Sequence, residues 1–412
     1  MGSEWQPTKL GKVIAVNPSR PLSKGTYSVY ISMQQVETAN RTINEINHRK
    51  FKGSGFRFQN GDTLLARITP CLENGKTAFV DFLEEDEVAH GSTEFIVLSG
   101  VEDISDNLFV YYLARSPEFR DFAIVRMEGS SGRQRVPAPT LKNYKFACPP
   151  YDEQCAIAHI LGSLDDKIEL NRQMNETLEA MAQAIFKSWF ADFDPVRAKA
   201  EGRDPGLPKE IADLFPDSFE NSELGKIPEG WNVNGLGKLI DLAYGKALKA
   251  SKRITGEVPV YGSNGPVGFH NEAFVNGPGI VVGRKGNPGT VTWSSSDFYP
   301  IDTTFYVILK KHVNSLFYMF YALKAQNLPS LSADSAVPGL NRNLAYMNQV
   351  LVPHKKILTA FDKHVPYLFA RMETNDKESL TLSILRDTLL PKLISGELCV
   401  PDAEKFIKEA GL

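Results

Sequence analysis

The tetrapeptide Cys148-Pro149-Pro150-Tyr151 has the outline of an Asn/Asp-Pro-Pro-aromatic run, in which the first side chain accepts a hydrogen bond from the exocyclic amine of adenine. Methyl transfer to that amine needs a carbonyl acceptor, and a thiol is a weak one. The run therefore reads as a rigid helix entrance. S-adenosylmethionine would need a strand followed by a Gly-rich turn and a helix, and Phe-Val-Asn-Gly-Pro-Gly at 274–279 precedes its strand instead. Gly-Arg-Lys-Gly-Asn-Pro-Gly-Thr at 283–290 lacks the Gly-Lys-Ser/Thr ending of a nucleotide-hydrolysing P-loop. Pro401-Asp402-Ala403-Glu404-Lys405 is too compressed for a nuclease carboxylate set. The four cysteines show no CxxC spacing and the seven histidines no paired cluster, so neither a metal site nor a catalytic residue is expected.

Loops that combine cationic forks with amides offer a different chemistry. Arg284, Lys285 and Asn287 sit on a Gly-rich turn between two expected strands. In the major groove an arginine can fork onto guanine and an asparagine can pair with adenine, while lysines neutralise phosphates. Lys246 and Lys249, with Lys252 and Arg253, surround Tyr261-Gly262-Ser263-Asn264, which marks Asn264 as a further contact. Counterparts in the first half of the chain are Arg67, Asn74 and Lys76, then Arg133, Gln134 and Arg135. Asn341 and Arg342, in Asn-Arg-Asn at 341–343, are matched to the last three. The plain alternative for each group is a solvated hairpin or a wet charged face.

Charge alone does not argue for nucleic acid. The formal net charge is −3, with 18 Lys+Arg against 17 Asp+Glu in residues 1–150, and 7 against 13 in residues 151–214. Any electrostatic attraction must come from local patches. The chain has no apolar run of 18 residues and opens on no charged-then-apolar leader, so it is expected to be cytoplasmic and to have no membrane partner.

The elements that must position these loops come in duplicate. Trp5 opens Trp-Gln-Pro-Thr-Lys-Leu-Gly-Lys and Trp231 opens Trp-Asn-Val-Asn-Gly-Leu-Gly-Lys, and each is followed by short β-rich segments and one amphipathic helix. Each copy ends at a proline, Pro150 or Pro353. Beyond the first, apolar residues recur at Ile157, Leu161, Leu164, Ile168, Leu178, Ala182, Ile185 and Trp189, with Asn171 and Asn175 in phase. That alternation of four and three is a heptad seam, and a helix of about 40 residues would span roughly 60 Å. A second seam runs through Phe361, Val365, Leu368, Met372, Asn375, Ser379 and Leu382. Pro366 should kink or restart the second helix and Pro391 should bend or end it. The asparagines should fix the register of the pair. Phe186, Trp189, Phe190 and Phe193 read as part core and part partner patch.

The expected fold is α+β: two β-rich globular domains separated by two long antiparallel helices that form a coiled-coil spacer, in a pseudo-twofold tandem repeat. The boundaries are 1–149 for the first domain, 150–190 for the first long helix and 191–230 for a linker rich in Pro, Gly and charge. The second domain is 231–352, the second long helix 353–398 and a C-terminal tail 399–412.

This order, together with PPYDEQCAIAHILGSLDDKIELNRQMNETLEAMAQAIFKSWFADFDPV after the first domain, PVYGSNGPVGF at 259–269 and LLPKLISGEL near the end, resembles the specificity subunit of type I restriction-modification systems. The second copy departs from the pattern, since His354-Lys355-Lys356 stands where Asp152-Glu153-Gln154 opens the first helix. The resemblance implies two target-recognition domains, each reading one half of an asymmetric bipartite site on double-stranded DNA. It implies two modification (methyltransferase) subunits held on the helices, and restriction (motor-nuclease) subunits beyond them. S-adenosylmethionine and ATP with Mg would then belong to those partners, and none to this chain. Two other classes fit parts of the sequence: a self-contained DNA methyltransferase or nuclease, and a tandem protein-binding adaptor.

Overall fold

The computed structural model describes residues 5–130, 132–333 and 339–409, with only the backbone at 332, 333 and 409. The tips at Ser131 and 334–338, within loops expected to touch DNA, lie outside the described residues. Contacts divide the chain into two compact units, Met1–Arg172 with Lys377–Leu412, and Gln173–Asp376. Both long helices are continuous, Tyr151–Phe190 and Lys355–Ser395, and each gives one part to each unit.

The first long helix starts where the double proline requires. Asp152 and Glu153 lie in its first turn, where they complement the positive end of the helix dipole. Gln154 is buried and ties the entrance down: its amide nitrogen donates to the Pro149 and Ile104 carbonyls, each at 3.0 Å, and its oxygen accepts from the Asp106 N–H at 3.1 Å. The second long helix corrects an expectation, because neither Pro366 nor Pro391 ends or restarts it. A mid-helix proline costs about 3 kcal/mol. Around Pro366 the buried Phe361, Val365 and Phe369 each contribute roughly 1.5–3 kcal/mol, which outweighs that cost. Pro391 lies in the last turns, beside buried Leu389, Leu390 and Leu393.

In the first unit a four-stranded antiparallel sheet runs in the order Ile14–Val16, Phe95–Gly100, Thr63–Ala66, Thr77–Phe79. Helix Asn107–Arg115, capped by the Asp106 carboxylate on the Phe109 N–H at 2.7 Å, covers it with Phe109, Tyr111 and Tyr112. A second, mixed sheet orders Asn47–Lys50, Tyr27–Ile31, Ala89–Gly91 and Arg57–Phe58 over a core of its own. The C-terminal tail forms helix Val400–Glu409, whose Ala403 is fully buried in the larger core.

The second unit repeats the plan. Its antiparallel sheet runs Ile240–Tyr244, Thr304–Leu309, Gly279–Gly283, Val291–Ser294, and helix Leu316–Ala325 lies against it. A three-stranded sheet orders Gly265–His270, Val258–Gly262 and Tyr299–Pro300. The stretch 191–230, which composition gives as a linker, is folded into this unit. It holds helices Asp194–Ala200 and Lys209–Ala212 and a hairpin of Phe219–Ser222 with Gly225–Pro228, and Val196, Phe215 and Ile227 are buried. Phe186, Trp189 and Phe190 are core here, packed at tilted angles among Tyr318, Trp231 and Phe361, with Phe193 half-buried against Phe219 and Trp231. The part of that reading that gave these aromatics to a partner does not hold, because these neighbours already cover them.

Within each unit the long-helix segments run antiparallel. In the first, Asp165 meets Arg386 and Asn171 meets Glu378 and Ser379. In the second, Asn175 bonds Asp376 and Asn375, and Trp189 packs on Phe361. Partner numbers fall as the first helix's numbers rise, and the seam asparagines bond across it as expected. The Asp165–Arg386 pair, 2.5 Å apart and about 4% and 3% exposed, also takes the Tyr112 hydroxyl at 2.6 Å and the Ala39 carbonyl at 3.3 Å. Removing one partner of such a pair leaves a buried charge. Arg386→Ala should cost about 3–5 kcal/mol in urea unfolding. Replacing the polar set together, Tyr112→Phe with Asp165→Leu and Arg386→Met, should be the milder change; equal losses would contradict the role given to the pair.

Candidate nucleic-acid interface

In the second unit the strand Gly279–Gly283 delivers Arg284 and Lys285 into a tight turn. Gly286 and Gly289 adopt φ of +88° and +84°, and a Cβ on Gly283 would stand 2.2 Å from the Asn287 carbonyl. Only glycines allow so close a return. The turn is pinned on both sides: the Arg284 and Lys285 N–H groups donate to the Thr303 carbonyl at 2.9 and 3.1 Å, and the Arg284 carbonyl accepts from the Leu340 N–H at 2.9 Å. Asn287 donates to Asn264 in the neighbouring hairpin turn, and Thr290 to the Ser263 carbonyl. Four predicted contacts, Asn264, Arg284, Lys285 and Asn287, therefore belong to one cluster.

Arg342 joins them from the first turn of helix Arg342–Met347. Its guanidinium lies 5.0 Å from the ring centre of Tyr244, and that of Arg284 lies 4.8 Å from the same ring. Each guanidinium has one carbonyl partner, Asp302 at 3.0 Å for Arg284 and Leu242 at 3.3 Å for Arg342, and neither forms an ion pair among the described residues. A guanidinium carries five N–H donors, so both keep donors for a phosphate or a base edge. Tyr244 is about half exposed. Sequence reading passed over it; its signal is an aromatic two residues before Lys246, at the end of a strand. Asn341 serves differently, as the helix cap accepting from the Asn343 and Leu344 N–H groups at 3.1 and 3.2 Å. Lys246 is exposed, 5.8 Å from the Phe274 ring centre, and Lys249 is exposed on the turn before Ala250–Lys252.

The first unit builds the equivalent corner from different side chains. Arg67 follows its strand as Arg284 does: its N–H donates to the Glu94 carbonyl at 3.0 Å and its carbonyl accepts from Val136 at 2.9 Å. The loops around Arg67 and Arg135 meet through Thr69, whose N–H and hydroxyl donate to the Gln134 carbonyl at 3.0 and 3.2 Å. Arg135 is forked onto Glu94 at 2.7–3.1 Å, and this contact holds the Glu94 carboxyl below the usual carboxylate range. Lys76 donates to the Met33 carbonyl at 2.9 Å. Asn74 and Arg133 are exposed. One correspondence needs correction: since Val136 plays the part of Leu340, Asn341 to Asn343 match Pro137 to Pro139, not Arg133 to Arg135.

Among the described residues no three His, Cys, Asp or Glu side chains form a group that could hold a metal, and no helix is long and apolar enough to cross a membrane. The Cys148 thiol, pushed up by burial, closes a strand at the entrance to the first long helix, as its double proline suggested.

A family model described as the type I restriction modification DNA specificity domain matches residues 2–180 and again 228–363. The HindI type I restriction enzyme specificity subunit of Haemophilus influenzae is 27% identical over 96% of this chain and all of that protein. The MjaIX specificity subunit of Methanocaldococcus jannaschii is 25% identical over 71% of this chain and 69% of that one. The crystal structure of the type I restriction-modification S subunit from M. genitalium shares the fold, with a TM-score of 0.55 at 17% identity over 95% of this chain and 96% of that chain. Matched in both repeats by one domain model, over most of its length, the chain belongs to the family of type I restriction-modification DNA specificity subunits.

Proposed function

We propose that each unit of this specificity subunit reads one half of an asymmetric bipartite site on double-stranded DNA, and that the subunit carries no catalysis of its own. The observation that supports this most is the repeated corner. Arg67 and Arg284 take the same backbone bonds at the end of the same strand, yet one stands beside an Arg135–Glu94 pair and the other beside Tyr244 and Arg342. Equal scaffolds with unequal side chains suit two dissimilar half-sites. On this reading two modification subunits supply S-adenosylmethionine chemistry on adenine, restriction subunits supply ATP- and Mg-dependent cleavage, and the assembly works in the cytoplasm.

In the second unit, Arg284 and Arg342 are the contacts, steadied by Tyr244, and Lys285 and Lys246 meet phosphates. In the first, Asn74 and Arg133 face outward, while Arg135 and Lys76 first serve to shape their loops. Two expectations follow. Purified chain incubated with S-adenosylmethionine and mixed-sequence DNA should transfer no methyl group until the modification subunits are added; transfer by the chain alone would overturn the non-catalytic reading. Arg284→Ala or Arg342→Ala should lose about 1–3 kcal/mol of discrimination at one base position of one half-site if the side chain meets a base edge. Motif sequencing of methylated DNA should show the other half-site unchanged, and unchanged affinity and motif in both variants would remove this corner from the interface.

A further inference from the structure

The mixed sheet of the first unit has one buried face and one open one. Val29, Ile31, Phe58 and Ala89 point into its core. Alternation along the strands sends Ser28, Tyr30, Arg49 and His90 to the other side, because Ser28 pairs with Arg49 and Tyr30 is in register with His90. Tyr30, Arg49 and His90 line a pocket of about 530 Å³ with Lys50, Lys52 and Ser54.

The pocket floor is held in place by its own contacts. His90 is buried, Nδ1 shares a 3.1 Å hydrogen bond with the Ser28 hydroxyl, and its ring lies 5.1 Å from Tyr30 and 5.2 Å from Phe51. Burial also pushes its pKa below the ordinary histidine value. Above the floor the Arg49 guanidinium sits 4.3 Å from the Tyr30 ring centre. Between Glu45 and Asp62 the chain carries Arg49, Lys50, Lys52 and Arg57 and no acidic residue. Among the described residues none of the four forms an ion pair, whereas Arg20, Arg41, Arg135 and Arg386 of the same unit each hold a carboxylate.

Three uncompensated cations around one concavity suit an anion. Arg49 already covers the aromatic floor, so the ring orients a guanidinium fork and is not left open to stack a base. Two of the three strands that build the pocket also run on to the corner described above: Tyr27–Ile31 leads to Met33, which accepts from Lys76, and Ala89–Gly91 leads to Glu94, which holds Arg135. In the second unit the matching strands put Val258, Val260, His270 and Tyr299 at these places, with Val260, His270 and Tyr299 buried and no lysine or arginine among them.

We propose that Arg49, Lys50 and Lys52 over the Tyr30–His90 floor seat a backbone phosphate of the bound DNA, an anchor that the first unit has and the second lacks. The inference rests on reading the first unit as a DNA-recognition module. It predicts a contribution that is electrostatic and blind to sequence.

The test uses the full chain and a fluorescent 30-base-pair duplex of mixed sequence, titrated across NaCl concentrations. Arg49→Gln/Lys50→Gln/Lys52→Gln should lower the magnitude of the slope of log K against log[NaCl] by about 1, since one neutralised phosphate contributes about 0.9. Lys50→Gln/Lys52→Gln, which keeps the stacked arginine, should fall between and guards against misfolding of the triple variant. The methylated motif made with the modification subunits should not change. Wild-type slope and affinity in both variants would overturn the pocket alone, and a changed base within the motif would overturn the phosphate assignment in favour of base reading. Absence of salt-dependent binding by the wild-type chain would instead overturn the recognition reading on which the inference rests.

Discussion

A heptad stripe on a 40-residue helix is too narrow to be covered by a globular domain and too apolar to stand in water, so each long helix needs another helix against it. The chain meets that need from within. In the first unit the late turns of Lys355–Ser395 cover the early turns of Tyr151–Phe190, and in the second unit the early turns of one cover the late turns of the other. Apolar burial alone would tolerate a slip by one heptad. The polar residues in the stripe do not: Asp165 must find Arg386, Asn171 must find Glu378 and Ser379, and Asn175 must find Asp376 and Asn375. A slipped register would leave a buried charge or buried amides without partners, and that penalty fixes which turns meet.

With the helices fixed, each unit can keep its sheet and change its edge. Phe95–Gly100 and Thr304–Leu309 hold the same central place, and the short helices opened by Leu10-Gly11-Lys12 and Leu236-Gly237-Lys238 approach the chain just as closely in both copies, Gly11 against Lys142 and Gly237 against Tyr346. What differs at the corner lies at strand ends. One copy forks Arg135 onto Glu94, and the other holds Arg284 and Arg342 on either hand of Tyr244. At this corner, divergence falls on positions where a new side chain costs the core nothing.

The parts of this arrangement that were legible in the sequence are those with a local signature. A period of 3.5 marked both long helices, and apolar runs such as Gly-Ile-Val-Val-Gly and Phe-Tyr-Val-Ile-Leu marked strands of the second unit's antiparallel sheet. The mixed sheet escaped, since its strands are two to five residues long and their partners lie far along the chain, as Tyr30 and His90 do. Linker composition hid Val196, Phe215 and Ile227, whose burial depends on the core of the second unit. At the prolines of the second helix, the restart or end that a local breaker allows is overruled by the tertiary contacts that offset it. Candidate contacts could be named by type, but whether a cation was open or already taken, as Lys76 is by Met33, is a matter of long-range geometry.

The central claim is that the two units read DNA independently, each through the side chains at its own corner. Exchanging residues 231–353 for the matching domain of another member of the family, and sequencing the methylated motif in cells that also make the modification subunits, tests it most directly. The account predicts that one half of the motif changes while the other keeps its sequence. A chimera that assembles and methylates but alters both halves, or neither, would contradict it.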